Sequence, residues 1–245
     1  MYWNTEVGRR PVNVIIMAGG KGTRLKPLTD NTHKSLIPVG SKPIIRHLID
    51  HLAAFGFREI HISVGHLAEQ LIGYLGDGRE NRVSIRYIQE RAPMGSIGAI
   101  TLKHRWPCEH FLVINGDVYS NFDIGDFCSE YFTRKADMAI LTVPDTVKIP
   151  YGVLEMASDG HVRSFIEKPA YEFMVNAGVY MFNKNVLNLL PKGISYEGWQ
   201  LIQSALNAGL HVAGVPQTTG YWIDIGSMET LRKAQEMNQI DIIEK

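Results

Sequence analysis

The stretch Asn13-Val14-Ile15-Ile16-Met17-Ala18-Gly19-Gly20-Lys21-Gly22-Thr23-Arg24-Leu25, continuing through His33-Lys34-Ser35-Leu36-Ile37-Pro38-Val39, decides how this chain is read. Val14 to Met17 is a short apolar run, as in a strand buried on both faces. A turn bearing Gly19, Gly20 and Gly22 follows at once. Glycine tolerates positive φ and lets another molecule approach the backbone. Arg24 lies in the same loop, and Lys34 ten positions further on. A strand opening into a glycine loop with two cations suits polyphosphate, with N–H groups binding oxygens and the cations neutralising charge. It is not the P-loop, because G-x-x-x-x-G-K-[ST] does not occur. It is not the dinucleotide fingerprint either, since Leu25 takes the last glycine position. An ordinary βα turn with solvated cations is the competing reading.

The chain has 245 residues, enough for one large α/β domain or two small ones. Lys plus Arg equals Asp plus Glu, 25 each, so no general basic field exists for nucleic acid or an anionic membrane. Cys108 and Cys128 form no disulfide framework, which favours a reducing, cytoplasmic compartment. Residues 1–12 are polar with no secretory h-region, and a flexible N-terminal extension is expected there. No stretch reaches the length of a membrane span.

Outward from the glycine loop, apolar runs alternate with helical patterns. Helices are expected over Pro43–Phe55, ended by Gly56, over Leu67–Leu75 and over Ser96–Lys103. Strands are expected at Glu59–Val64, Val83–Ile88 and Phe111–Ile114. This order argues an α/β fold with a mostly parallel sheet and helices on both faces. Later, Asp159-Gly160 between Gly152–Met156 and His161–Ile166 signals a hairpin. Strands at Met138–Val143, Val175–Phe182, His211–Val215 and Tyr221–Ile225, and helices at Tyr196–Ala208 and Met228–Met237, complete the reading. No linker or repeat divides the chain. One domain over 13–245 is expected, with a nucleotide half (13–135) and a second half (136–245) that closes the site.

Open α/β sheets bind ligands at the carboxyl ends of their strands. Asp117, after Phe111–Ile114, and Asp224, within Tyr221-Trp222-Ile223-Asp224-Ile225-Gly226, are candidate Mg2+ ligands, because Mg2+ takes hard oxygens and keeps phosphate and water as further partners. Asp117 reads equally well as a turn or cap residue, and Asp224 as the polar face of a strand. Glu167-Lys168 could read a sugar hydroxyl and a phosphate, or form a solvated pair. In Pro93-Met94-Gly95-Ser96-Ile97-Gly98, Ser96 is either a helix cap or a place for a flat base. The nine histidines show no metal spacing.

Taken together, the motifs resemble those of the sugar-1-phosphate nucleotidyltransferases: G-G-x-G-T-R-L at Gly19–Leu25, a lysine at Lys34, the Gly95–Gly98 loop, Gly116-Asp117, Glu167-Lys168-Pro169, Asn176-Ala177-Gly178 and Trp222–Gly226, all in the family's order over about residues 13 to 235. The resemblance implies a Rossmann-like, GT-A-like nucleotidyltransferase core with a mostly parallel mixed sheet. It implies attack of a sugar 1-phosphate on the α-phosphorus of a nucleoside triphosphate, with Mg2+ as cofactor. Arg24, Lys34 and Lys168 would be catalytic. Ala18, Gly19, Gly20, Gly22, Thr23, Gln89, Gly95 and Ser96 would bind the nucleotide. Tyr151, Gly152, Glu167, Lys168 and Asn176 would bind the sugar, and Asp117 and Asp224 the metal. GTP with a mannose- or heptose-type 1-phosphate is the leading pair; uridylyl, thymidylyl and cytidylyl transfer are the alternatives, as is a regulatory subunit without catalysis. A homo-oligomer is left open. Two departures carry expectations. His33-Lys34-Ser35 replaces the family's Pro-Lys-Pro and should relax the backbone, and Ile97 replaces a small residue and should narrow the base pocket.

Overall fold

The structure, a computed structural model, describes residues 2–3, 10–217 and 219–243. Its architecture follows from the first long strand, β1 (Arg10–Ala18). Strand side chains alternate between faces, so an unbroken apolar run must be covered twice. Val14 and Ile16 join one buried cluster with α1 (Ile44–Ala54), α2 (Ala68–Leu75) and α3 (Ile124–Thr133). Ile15 and Met17 join another, which holds the 3-10 segment Gly98–Leu102 and α4 (Gly198–Asn207). Helices therefore cover both faces.

The remaining strands of three or more residues are β2 (Glu59–Val64), β3 (Ser84–Gln89), β4 (His110–Asn115), β5 (Val118–Ser120), β6 (Met138–Lys148), β7 (Val153–Met156), β8 (Val162–Ile166), β9 (Ala170–Asn183), β10 (Val212–Pro216) and β11 (Trp222–Asp224). The main sheet runs β3-β2-β1-β4-β9-β6-β10. β1, β2, β3 and β4 are mutually parallel and β10 is parallel to β6. Among these seven strands only β9 is reversed, antiparallel to both β4 and β6. The sheet is mixed and mostly parallel, as expected. Chain order turns round between β1 and β4. The crevice at the carboxyl ends of strands on either side of such a switch point is where open α/β sheets hold ligands.

Several elements differ from expectation. The first strand starts at Arg10, and Tyr2–Trp3 pairs antiparallel with Arg10 and Pro11, so residues 10–12 belong to the sheet. Residues 1 and 4–9 of the expected extension lie outside the described residues. Ser96–Lys103 yields only the 3-10 segment, and β11 leaves the main sheet to pair with β5. Helix α3 was not foreseen. Its signal was present: the Asp123 side chain accepts from the Asp126 amide at 2.8 Å, and buried Ile124, Phe127, Cys128 and Tyr131 follow at helical spacing.

β6 and β9 outrun the sheet. Their pairing continues from Val143–Val175 out to Lys148–Ala170, and the β7–β8 hairpin lies between them in sequence. That hairpin turns at Asp159-Gly160 as the sequence indicated, with Gly160 at φ 89° and Asp159 accepting from the His161 amide at 3.1 Å. The two long strands form an arm at the same rim as the switch point.

Candidate active site

A cavity of about 330 Å³ opens at the carboxyl ends of β1 and β4. Ala18, Gly19, Gly20, Gly22, Thr23, Arg24, Lys34, Gly95, Ser96 and Asp117 all line it. The loop that carries Arg24 is pinned from below. Gly22 takes φ 62° to enter the 3-10 turn Thr23–Leu25, the Thr29 hydroxyl donates to the Gly22 carbonyl at 2.9 Å, and Leu25 is fully buried against Ile223 and Ile225. The same small core thus seats the glycine loop and the strand bearing Asp224.

Lys34 is held more firmly than its sequence context promised. His33 is 1% exposed. Its Nδ1 accepts from the Ser35 amide at 3.1 Å, which makes Nε2 the N–H that donates to the Ala18 carbonyl at 3.0 Å. The Gln70 side chain accepts from the His33 amide at 2.9 Å. Burial pushes the His33 pKa down, so the ring stays neutral and this tautomer is fixed. The expected relaxation of the backbone therefore does not occur: three hydrogen bonds do the work of the missing prolines. The Lys34 ammonium pairs with the Asp117 carboxylate, both largely buried.

Asp117 and Asp224 are brought together by the β5–β11 ribbon, in which Asp224 opposes Val118 and the Ile225 amide donates to the Asp117 carbonyl at 3.0 Å. Ile223 and Ile225 are buried in the core beneath, which turns Asp224 the other way. Asp224 Oδ1 is buried and unpartnered. Burial, then the neighbouring Asp117 charge, raises the Asp224 pKa, while Lys34 and Arg24 oppose the rise. Gly226 keeps this corner open: an added Cβ would lie 3.2 Å from Arg24 Nη2 and 3.3 Å from Asp224 Oδ1, so those side chains would have to shift by a few tenths of an ångström. No cluster of three or more His, Cys, Asp or Glu able to hold a metal occurs among the described residues. Two adjacent carboxylates, one with a buried oxygen lacking any donor, nonetheless fit a hard cation that takes its other ligands from phosphate and water.

The base-side wall differs from the sequence reading. Gln89 is exposed and lies outside the cavity lining; Glu90, its neighbour, lines the cavity. The β3 alternation that buries Ile88 points Gln89 outward and returns Glu90 inward. Glu90 Oε2 accepts from the Met94 amide at 3.2 Å, whereas Oε1 is buried without a partner. Burial raises the Glu90 pKa, with Ser63 and the Met94 amide partly offsetting it. The expected narrowing by Ile97 does not occur, because Ile97 is fully buried in the core under the loop. Glu197, at the start of α4, was not singled out. It lines the cavity, and its Oε2 accepts from the Ser96 amide at 3.0 Å, while the Ser96 hydroxyl accepts from the Gly198 amide at 2.8 Å. An acid before an amphipathic helix signals only a cap.

With this geometry in view, a sequence profile of the family described as nucleotidyl transferase matches residues 13–239. The chain belongs to that family. The chain is 30% identical over 236 residues to a UTP–glucose-1-phosphate uridylyltransferase of Synechocystis sp., covering 89% of this chain and 61% of that one. It is 31% identical over 226 residues to mannose-1-phosphate guanylyltransferase 1 of Arabidopsis thaliana, covering 88% and 61%. The chain thus spans about three fifths of these curated relatives. The structure of HddC from Yersinia pseudotuberculosis complexed with GMP-PN superposes with a TM-score of 0.71 at 28% identity, covering 93% of this chain and 99% of that chain.

None of the residues that the sequence assigned to a sugar is among those lining the cavity. Tyr151, Gly152, Glu167 and Lys168 are exposed on the arm, with Glu167 and Lys168 4.0 Å apart and more than half exposed. Asn176 is committed to its own turn, Nδ2 donating to the Tyr180 hydroxyl at 2.8 Å and Oδ1 accepting from the Gly178 amide at 2.9 Å. A second cavity, of about 620 Å³, lies between the arm's base and the helix α5 (Met228–Ile243). It shares Arg24 and Gly226 with the first, and Asp224 lines it. No helix among the described residues is long and apolar enough to cross a membrane.

Proposed function

We propose that the protein transfers a nucleoside monophosphate from a nucleoside triphosphate to a sugar 1-phosphate, giving an NDP-sugar and pyrophosphate. The observation that carries this reading is the meeting of Arg24, Lys34, Asp117 and Asp224 at the switch point of the sheet. In-line displacement at phosphorus needs alignment and charge neutralisation more than covalent chemistry. Arg24 holds the leaving pyrophosphate. Lys34, steadied by His33, neutralises charge at the α-phosphate. Lys168 and Glu167 bind the acceptor's phosphate and hydroxyls, with Tyr151, Gly152 and Asn176 shaping that side. Asp117 and Asp224 would hold Mg2+, which when bound would supply charge stabilisation on the phosphate oxygens. Retention of both cations and both carboxylates favours an enzyme over a regulatory subunit. Residues 13–245 act as one unit, with nucleotide contacts before about residue 135 and sugar contacts after it, in the cytoplasm and without nucleic acid or membrane.

For the base, Glu90 favours guanine. An unpartnered carboxylate oxygen asks for N–H donors. Guanine offers N1–H and N2–H2 side by side, whereas uracil and thymine flank their single N3–H with carbonyl oxygens that repel a carboxylate. Relatives named as mannose-1-phosphate guanylyltransferases favour the same base and a mannose-type acceptor, whereas one named as a UTP–glucose-1-phosphate uridylyltransferase favours the alternative. The test is a thermal-shift panel of GTP, UTP, dTTP, CTP and ATP with Mg2+. A ligand at 100 times its Kd stabilises by about 2.7 kcal/mol. GTP giving the largest shift supports the guanine reading; a larger shift with UTP or dTTP overturns it, and no shift with any triphosphate overturns the nucleotide site itself.

A further inference from the structure

The loop bearing Gly95 and Ser96 takes its shape from the other half of the chain. The Tyr196 amide donates to the Met94 carbonyl at 3.0 Å, and the Ile97 and Gly98 amides donate to the Tyr196 carbonyl at 3.1 and 3.2 Å. Both glycines of the loop serve this close approach. A Cβ on Gly95, whose φ is 72°, would lie 2.5 Å from the Tyr196 carbonyl oxygen, and one on Gly98 would lie 2.6 Å from that of Ile194. Those neighbours are backbone and cannot swing aside as a side chain would. Beneath the loop, Met94 and Ile97 share a buried cluster with Leu201 and Ala205 of α4. The peptide between Gly95 and Ser96, two residues that line the nucleotide cavity, is fixed by side chains instead. Glu197 Oε2 accepts from the Ser96 amide at 3.0 Å, and the Ser96 hydroxyl accepts from the Gly198 amide at 2.8 Å. A peptide unit is planar, so holding the Ser96 N–H also sets the direction of the Gly95 carbonyl. A loop ordered before its ligand arrives removes that ordering cost from binding.

We propose that Glu197 is a positioning residue for the nucleotide, holding the Gly95–Ser96 peptide through Ser96 in the shape that the base meets. The inference rests on the nucleotide site of the transfer reaction proposed above, and adds to it a contribution from the second half of the chain. The same segment reaches Glu90: the Met94 amide donates to Glu90 Oε2, and the Met94 carbonyl accepts from Tyr196. Because Glu197 acts by accepting from a backbone amide, an uncharged oxygen acceptor of the same length can stand in for it.

The test is titration calorimetry on the full chain with Mg2+, comparing GTP with inorganic tripolyphosphate, which has no base to meet the loop. Glu197→Ala weakens GTP about tenfold and leaves tripolyphosphate within about twofold, tenfold being the scale of one lost hydrogen bond to a charged group. Glu197→Gln keeps an oxygen for the Ser96 amide and restores most of the GTP affinity. Ser96→Ala removes the companion bond to Gly198 and also weakens GTP, and the double variant Ser96→Ala with Glu197→Ala binds GTP no more weakly than the worse single variant, because both act through one loop shape. A carboxylate that only touched the nucleotide would give additive losses and no rescue by glutamine, and that result overturns the inference. If Glu197→Ala does not fold, Glu197→Asp decides in its place, since its shorter side chain withdraws the carboxylate from the Ser96 amide. GTP binding unchanged in Glu197→Ala, or tripolyphosphate weakened as much as GTP, overturns the inference while leaving the transfer reaction intact. Failure of the unaltered protein to bind any nucleoside triphosphate overturns both.

Discussion

Asp224 lies beside Asp117 because β11 and β5 pair antiparallel, placing Asp224 opposite Val118 and joining Ile225 N–H to the Asp117 carbonyl at 3.0 Å. Burial disfavours the Asp224 charge, and repulsion from the adjacent Asp117 carboxylate adds to that cost. The raised Asp224 pKa is the outcome.

The sign of that shift makes a prediction. A carboxyl with a folded pKa above its unfolded value costs stability as pH rises through the interval between them. Asp224→Asn should therefore melt higher than the unaltered protein near pH 7 without divalent cations, with the difference shrinking toward acid pH. Mg2+ should raise the melting temperature of the unaltered protein more than that of Asp224→Asn. Calorimetry at pH 4 to 8, with and without Mg2+, checks both; a lower neutral-pH melting temperature for Asp224→Asn contradicts the account.

Arg24→Ala and Asp117→Ala should each lower kcat by at least ~10²-fold, the scale of losing one electrostatic stabiliser at a reacting phosphate. Circular dichroism should show the fold retained. Near-normal turnover in either variant would refute the assigned role.

Acid should unfold the protein early. His33, His51 and His61 all have pKa values lowered chiefly by burial, His61 to about 4. A histidine kept neutral by the fold contributes stability above its ordinary value of 6.5 and loses it as pH falls below that. Melting temperature should decline from about pH 6.5 downward. His33→Ala should cost about 2–3 kcal/mol through its lost hydrogen bonds. A flat melting profile from pH 7 to 5 would show these rings are not held neutral.

Glu90→Gln should cut the preference for GTP over UTP by about tenfold in kcat/KM, since an amide both donates and accepts while a carboxylate only accepts. An unchanged ratio would mean that Glu90 does not read the base.

Much of the fold was readable because β1 and β4 are continuous apolar runs that only a doubly covered sheet can bury, and because Asp159-Gly160 has turn chemistry of its own. The glycine loop and Lys34 were legible for the same local reason. What escaped were tertiary facts. Gln89 and Glu90 look equally suited to a pocket wall, and only the position of β3 decides which faces inward. Ile97 looks like an obstruction until the core beneath it is seen. His33 looks like a lost proline, yet its ring reaches Ala18 and Ser35.

The central claim is that two cations and two carboxylates form one catalytic pocket for nucleotidyl transfer. The most direct measurement is pyrophosphate release from Mg2+ and GTP with mannose 1-phosphate, alongside a heptose 1-phosphate. The account predicts release that depends on the sugar phosphate, stops with EDTA, and falls at least ~10²-fold in Arg24→Ala. Release that is independent of acceptor, or equal in Arg24→Ala, would contradict it.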